Sequence, residues 1–316
     1  MPNKIGPIAA ASIGIGGMVG GGIFAALGLA VSLARGGTPI AFLVAGIIAL
    51  ITAYAYSKLS LAYPSRGGTI RFINVGFGDT LFSGGINNLL WVSYIIMLSL
   101  YASAFGSYAP NLIPITGNLL VDKHIFISFV LIGSALINYF SISIVGKIES
   151  VVVVIKLTIL LIFVVVGFIG LGTNPNIIQL NPHHWESPLA LVAGGMVIFV
   201  AYEGFELIAN SVPNITNPKR NVPLSYYGSV IFVILLYIAI AVVTVGSLSF
   251  PNLAKAQDYA LAEAAKPMFG QVGFVVITIA ALLSTFSAIN ATILGGNRVN
   301  YQVAKDDQLP HFFTRE

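Results

Sequence analysis

The stretch Ile15-Gly-Gly-Met-Val-Gly-Gly-Gly-Ile-Phe24 places five glycines in ten residues, inside an apolar run that extends from about Ile5 to Leu33. A helix that crosses a bilayer is normally continuous, because backbone groups facing lipid must be hydrogen-bonded within it. Each glycine weakens a helix by roughly 1 kcal/mol against alanine. The run Gly20 to Gly22 is therefore expected to open the helix near mid-membrane. N–H groups freed at the start of the second half-helix would form a pocket for an anion such as a carboxylate. Close helix packing through small residues is the alternative use of such glycines.

Composition supports a membrane setting. The chain has 316 residues, 57% hydrophobic and 8% charged, with a mean hydropathy of +0.91. A soluble domain carries roughly 25% charged residues, so this chain lacks the charge to cover a water-facing surface. Spanning a ~30 Å hydrocarbon layer takes about 20 apolar residues. Beyond the first run, seven more qualify, near Pro39–Tyr63, Ile86–Ile113, Ile125–Ile144, Val151–Leu171, Leu189–Val212, Leu224–Leu248 and Val272–Leu294. A polar, glycine-rich connector, Ser65 to Gly85, follows the second. The fold class expected is an all-α polytopic bundle of about eight spans, forming one transmembrane domain over residues 1–316.

The absence of cysteine excludes disulfides, thiolate metal sites and cysteine nucleophiles. The net charge of +4 is spread singly or in pairs between apolar runs and gives no nucleic-acid signal. With the N-terminus inside, the inner loops hold Lys4, Lys58, Arg66, Arg71, Lys147, Lys219, Arg220, Arg298, Lys305 and Arg315. The outer loops hold Arg35, Lys123, Lys255 and Lys266, and ten against four favours both termini in the cytoplasm. No signal peptide with a convincing cleavage site stands out.

Two further places break membrane logic. Phe199-Val-Ala-Tyr-Glu-Gly-Phe-Glu206 puts two carboxylates in an apolar run, at about 2.5–3.5 kcal/mol each on insertion scales. Gly204 between them offers a point of unwinding, and carbonyls released there could hold an ammonium group. Alternatively, Glu203 and Glu206 snorkel to the inner surface. Lys156 lies in Val151-Val-Val-Val-Ile-Lys-Leu-Thr-Ile-Leu-Leu161. Desolvation works against an ammonium charge there, which makes it a candidate proton carrier. It could equally be a permanent cation standing where a metal ion would sit, or a lysine reaching back to lipid phosphate.

Weaker candidates are Trp91, Ser93, Tyr94 and Leu98 on the third span and Ser284, Thr285 and Ser287 on the eighth. Hydroxyls in membrane helices often bond their own backbone. His183 and His184 read as loop surface, without carboxylate spacing for a metal. No HExxH-type spacing or buried nucleophile argues for an enzyme, and no repeated polar ring argues for a channel.

Four segments resemble the amino acid–polyamine–organocation superfamily of transporters, which share the LeuT-type fold. Gly17-Met-Val-Gly-Gly-Gly-Ile-Phe24 is similar to the broken first helix. Tyr54-Ala-Tyr-Ser-Lys-Leu59 with Tyr63-Pro-Ser-Arg-Gly-Gly68 resembles the second helix end and its inner loop. Phe199 to Glu206 with Asn217-Pro-Lys-Arg-Asn-Val-Pro223 resembles the broken sixth helix and the loop after it. Asn297-Arg-Val-Asn-Tyr301 with Ala304-Lys-Asp-Asp-Gln-Leu-Pro310 resembles the loop after the eighth.

The resemblance implies secondary transport of amino acids by alternating access. It implies that Gly20, Gly21 and Gly22, with Met18 and Val19 beside them, bind a substrate carboxylate through backbone N–H groups. Carbonyls near Phe199, Val200 and Glu203 would take the amino group, and Ser93, Tyr94 and Leu98 would line the side-chain pocket. Lys156 matches a fifth-helix lysine of proton-coupled, sodium-independent members, and Glu206 an acidic position tied to proton coupling. Leu98 and the glycine segment offer no fixed charge, which favours a neutral substrate. Partners are then a small amino acid, protons and the lipid bilayer, with no cofactor and no metal. The first five-helix repeat would occupy about 5–171 and a partial, inverted second repeat about 189–294, followed by a cytoplasmic segment 295–316. Against the family's pattern the chain reads as truncated after the eighth span. The alternative function is a membrane protein that binds ligand without transporting it, or a subunit that needs a partner chain.

Overall fold

The computed structural model describes residues 4–305 except 66, 79 and 141, with the side chains of 142–150 also outside the description. Arg66, Arg315, the Lys147 side chain and most of the 304–310 motif therefore lie outside the described residues. Every regular element described is helical. Seven helices are long and apolar enough to cross a membrane, and α1 (Pro7–Met18) with α2 (Gly22–Ala34), bent by 50° between them, makes an eighth span.

The remaining elements are α3 (Thr38–Ala62), α4 (Gly68–Phe77), α5 (Leu81–Tyr108), α6 (Leu119–Phe140), α7 (Ile142–Leu171), α8 (Pro188–Ile198), α9 (Pro218–Ser247), α10 (Phe250–Lys255) and α11 (Ala260–Lys305). Short 3-10 turns join several of them, including Phe199–Tyr202 and Phe205–Asn214 after α8. The sixth span is thus α8 plus two 3-10 segments, interrupted at Glu203 and Gly204.

Several boundaries differ from those expected. The connector after the second span is largely helical: α4 fills it, and α5 begins at Leu81, capped by Thr80, whose hydroxyl accepts the Ser83 N–H. Around the expected end of the fourth span, α6 is described to Phe140 and α7 from Ile142, with Ser141 outside the described residues. The eighth span begins after a break at Gly270 (φ 62°, ψ −152°), close to the Val272 expected.

The packing is that of a bilayer protein. Along α3, Ala41, Ala45, Ala49 and Ala53 are fully buried at four-residue spacing, while Ile47 and Ile51 point outward. The alanine stripe lets α3 lie close against α8 and α9. Outward isoleucines would be a liability in water but suit lipid. The two broken spans run antiparallel and are tied at both ends. At one end Ile5 pairs with Ile215, the Ile5 N–H donating to Asn214 at 2.9 Å and Thr216 N–H to Ile5 at 3.0 Å. At the other, Arg35 pairs with Trp185 and holds Glu186 at 2.9 Å.

Candidate functional site

The helix opens where the glycines are densest: α1 ends at Met18, α2 starts at Gly22, and Val19 to Gly21 carry the break. A helix terminus leaves four carbonyls without intrahelical partners, and here side chains from three other helices supply donors. The buried Lys156 Nζ donates to the Gly16 carbonyl at 3.1 Å. The Tyr237 hydroxyl lies 2.7 Å from the Met18 carbonyl. The Ser284 hydroxyl lies 2.9 Å from the Val19 carbonyl and 2.6 Å from that of Gly20. Gly20 N–H itself closes a turn onto the Gly17 carbonyl at 3.1 Å.

The second break faces the first. Gly204 has φ 126°, a region favouring glycine, and the Glu206 carboxylate accepts its N–H at 2.7 Å. A Cβ on Gly204 would stand 2.3 Å from the Gly17 carbonyl carbon and 2.5 Å from the Met18 nitrogen. The two interrupted helices therefore meet backbone on backbone. Tyr237 binds them together, since its hydroxyl also lies 3.2 Å from the Ala201 carbonyl. Tyr202, fully buried, donates to the Phe42 carbonyl at 2.9 Å and fixes the turn to α3.

Interruption and close packing are both realised in the glycine cluster. A Cβ on Gly21 would lie 2.3 Å from the Tyr101 ring, one on Gly22 2.7 Å from Ala201 Cα, and one on Gly20 3.2 Å from Ala288 Cβ.

A cavity of about 570 Å³ reaches this junction. Its inner end is formed by Gly16, Gly17, Tyr101, Glu203, Gly204 and Ala288, and Ala9, Ser12 and Ile13 of α1 line it toward the start of the chain. On the far side of the junction, α2 is packed shut: Phe24 meets Tyr108 edge-on at 6.1 Å, and Gly28 abuts the backbone of Gln257.

Of the residues singled out from sequence, Gly16, Gly17, Tyr94, Glu203, Glu206 and Ser287 line the cavity. Met18 and Val19, with Gly20 to Gly22, form the buried break just behind it. Lys156 binds that break from the α7 side and is fully buried. Phe199 and Val200 lie in the 3-10 turn. Ser93 and Leu98 do not line the cavity: Ser93 donates to its own helix at Leu90, and Leu98 packs with the α5–α11 cluster. The cavity face of α5 is Tyr94, Met97 and Tyr101. Spacing of three and seven residues from Tyr94 was the available signal for it.

Thr285 bonds its own backbone at Ala281, as hydroxyls in such helices commonly do, whereas Ser284 reaches across to the break. His183 and His184 are exposed. Tyr237 and Ser284 cap the broken backbone without any local sequence mark of that role, because their partners lie more than 200 residues away.

Comparison with known proteins agrees with this architecture. The sequence pattern described as amino acid permease matches residues 5–316. An uncharacterized protein of Methanocaldococcus jannaschii is 38% identical over 97% of this chain and 70% of its own length. The inner membrane transport protein YbaT of Escherichia coli is 33% identical over 96% of this chain and 70% of its own. The branched-chain amino acid permease BcaP of Lactococcus lactis is 26% identical over 95% and 68% respectively. With its two broken spans and a match along almost its entire length, the chain is a multi-pass membrane protein that belongs to the amino acid permease family of the amino acid–polyamine–organocation superfamily.

Proposed function

We propose that this protein carries amino acids across the cytoplasmic membrane by secondary active transport, alternating access to a site at the junction of the first and sixth spans. The observation that carries the reading is the one-sided cavity: it ends at the Gly17–Gly204 contact, and α2 is packed shut beyond it. A site reached from one side at a time is what alternating access requires. The excess of basic residues on the Pro7 side supports a cytoplasmic setting for that side, and in this reading the cavity faces inward.

In this reading the backbone around Met18, Val19, Gly20, Gly21 and Gly22 takes the substrate carboxylate. Carbonyls near Phe199, Val200 and Glu203 take the amino group. Tyr94 and Tyr101 wall the side chain. Ser93 and Leu98 would serve only from behind that wall.

The coupling reading places proton movement at Lys156 and Glu206, without sodium. Lys156 holds the Gly16 carbonyl and Glu206 holds the Gly204 N–H, so each grips one of the two broken helices. A change in the protonation of either would alter that grip. Relatives named as amino acid permeases support the substrate class.

The test is uptake of labelled amino acids into vesicles reconstituted with the purified protein, under a pH gradient or a sodium gradient. Uptake driven by the pH gradient alone is expected, and Lys156→Ala should abolish the pH-driven component. Uptake that requires sodium, or that is unchanged in Lys156→Ala, would overturn the coupling.

A further inference from the structure

A discontinuous helix offers an ammonium group its released carbonyls, but this chain has already engaged several of them. Gly16, Met18, Val19 and Gly20 accept from Lys156, Tyr237 and Ser284. In the sixth span the Val200 carbonyl accepts the Glu203 N–H at 3.3 Å and the Ala201 carbonyl faces Tyr237. A substrate amine binding to any of these would share a carbonyl that a donor of the chain already uses.

The Glu203 side chain is in the opposite situation. It leaves the extended residue between the two 3-10 segments and lines the inner end of the cavity. Among the described residues its carboxylate has no hydrogen bond and no ion pair, while its neighbour Glu206 is occupied by Gly204. No lysine, arginine or histidine is among the cavity's lining residues. The rest of the wall is mainly apolar, with Ile13, Met97, Val153, Leu157 and Leu207 prominent. A carboxylate held in such surroundings at mid-span is costly unless something cationic meets it.

From these observations, and resting on the transport reading above, we infer that the Glu203 carboxylate is the group that binds the substrate's protonated primary amine. The substrate class is then defined first by an amine on a small apolar body. Recognition of the amine then depends first on a side chain, replaceable by mutation, beside the backbone carbonyls of that turn. An amine without a carboxylate should bind, and a carboxylate without an amine should not. A charge-assisted hydrogen bond in a dry site is short and strong, so its loss should weaken binding roughly 10- to 100-fold.

The experiment is thermal-shift titration of the purified protein with the twenty standard amino acids, then with 3-methylbutylamine and 4-methylpentanoate. These two are leucine without its carboxylate and without its amine. A ligand that binds only the folded state raises the melting temperature. The wild type is expected to respond to apolar amino acids and to 3-methylbutylamine, but not to 4-methylpentanoate. Glu203→Gln, nearly isosteric, should lose both responses by the factor above, and Glu203→Asp should keep part of them, which shows that the fold survives change at this position. Glu203→Gln binding the best amino acid within threefold of wild type would overturn the inference while leaving the transport reading intact. Equal responses to the amine and the carboxylate analogues would do the same. A wild type that responds to none of the twenty amino acids would overturn the transport reading and this inference with it.

Discussion

Replacing Gly204 with alanine tests the junction of the two broken helices directly. Two costs add. At φ 126° an L side chain is strained, at about 1–3 kcal/mol for a residue held in such a region. The new methyl would also stand 2.3 Å from a backbone carbon of Gly17 and 2.5 Å from the Met18 nitrogen. Neither atom is the yielding end of a side chain, so the helices must separate, and overpacking of this kind costs about 1–3 kcal/mol more. A total of about 2–6 kcal/mol is comparable with the whole stability of many domains. The protein should melt markedly lower in detergent and lose uptake in vesicles. Gly228→Ala is the matched control: it lies in α9, is exposed, and a Cβ there meets nothing within 4 Å. Alanine at a free helical position gains up to about 1 kcal/mol, so this variant should melt no lower than wild type. If Gly204→Ala matches Gly228→Ala in both melting and uptake, the backbone-on-backbone junction is not how the two spans meet.

Other consequences are more local. Tyr237→Phe keeps the ring packed between Phe42 and Tyr202 but removes the hydroxyl that faces the Met18 and Ala201 carbonyls; leaving buried carbonyls unmet should cost about 1–3 kcal/mol, read as a fall in melting temperature that Tyr227→Phe does not produce. On the side away from the cavity, Asp258 accepts from Lys123 at 2.9 Å and Ser107 at 3.2 Å, with Asp258 60% exposed. Asp258→Asn should therefore cost less than about 1 kcal/mol, and the difference should shrink further in high salt. Asn138 donates to Asn290 at 2.8 Å in the buried seam of α6 and α11. A double-mutant cycle with alanine at both should give a coupling of about 0.6 kcal/mol, the average for such bonds in membranes; a value near zero would mean that the two amides do not pair.

The spans and both breaks were legible in the sequence because each is written in local composition. Apolar runs of membrane length are hard to mistake, and Gly20 to Gly22 or Gly204 between two glutamates mark weak backbone within those runs. Corners were less legible. The connector after Tyr63 hides α4 behind glycines that cap it. Inside the site, Lys156 and the carboxylates stood out because charge is rare in a span. Tyr101 and Tyr237 did not, and Ser284 stood out only weakly beside Thr285 and Ser287, since an aromatic or a hydroxyl in a membrane helix is ordinary until its partner is known. The choice of Ser93 and Leu98 over Met97 and Tyr101 reflects the same gap. One residue of helical rotation is 100°, and only packing against α11 fixes which face of α5 meets the cavity.

The donors that meet the first break come from α7, α9 and α11, three helices that otherwise pack as scaffold. Any rearrangement that opens the far side must exchange at least some of these bonds, because a broken helix cannot tilt while its carbonyls stay fixed to all three. Tyr237 and Ser284 are neutral donors whose strength does not depend on a proton concentration in the physiological range. Lys156 is different: charged, it grips the Gly16 carbonyl with a charge-assisted bond, and neutral it offers only a weak amine N–H. Of the three ties on the break, it is therefore the one that loss of a proton would loosen. This gives the coupling proposed at Lys156 a mechanical meaning. It also sets apart the adjacent Gly17, which the same movement would draw away from Gly204, and so links the state of one lysine to the closure of the cavity's inner end.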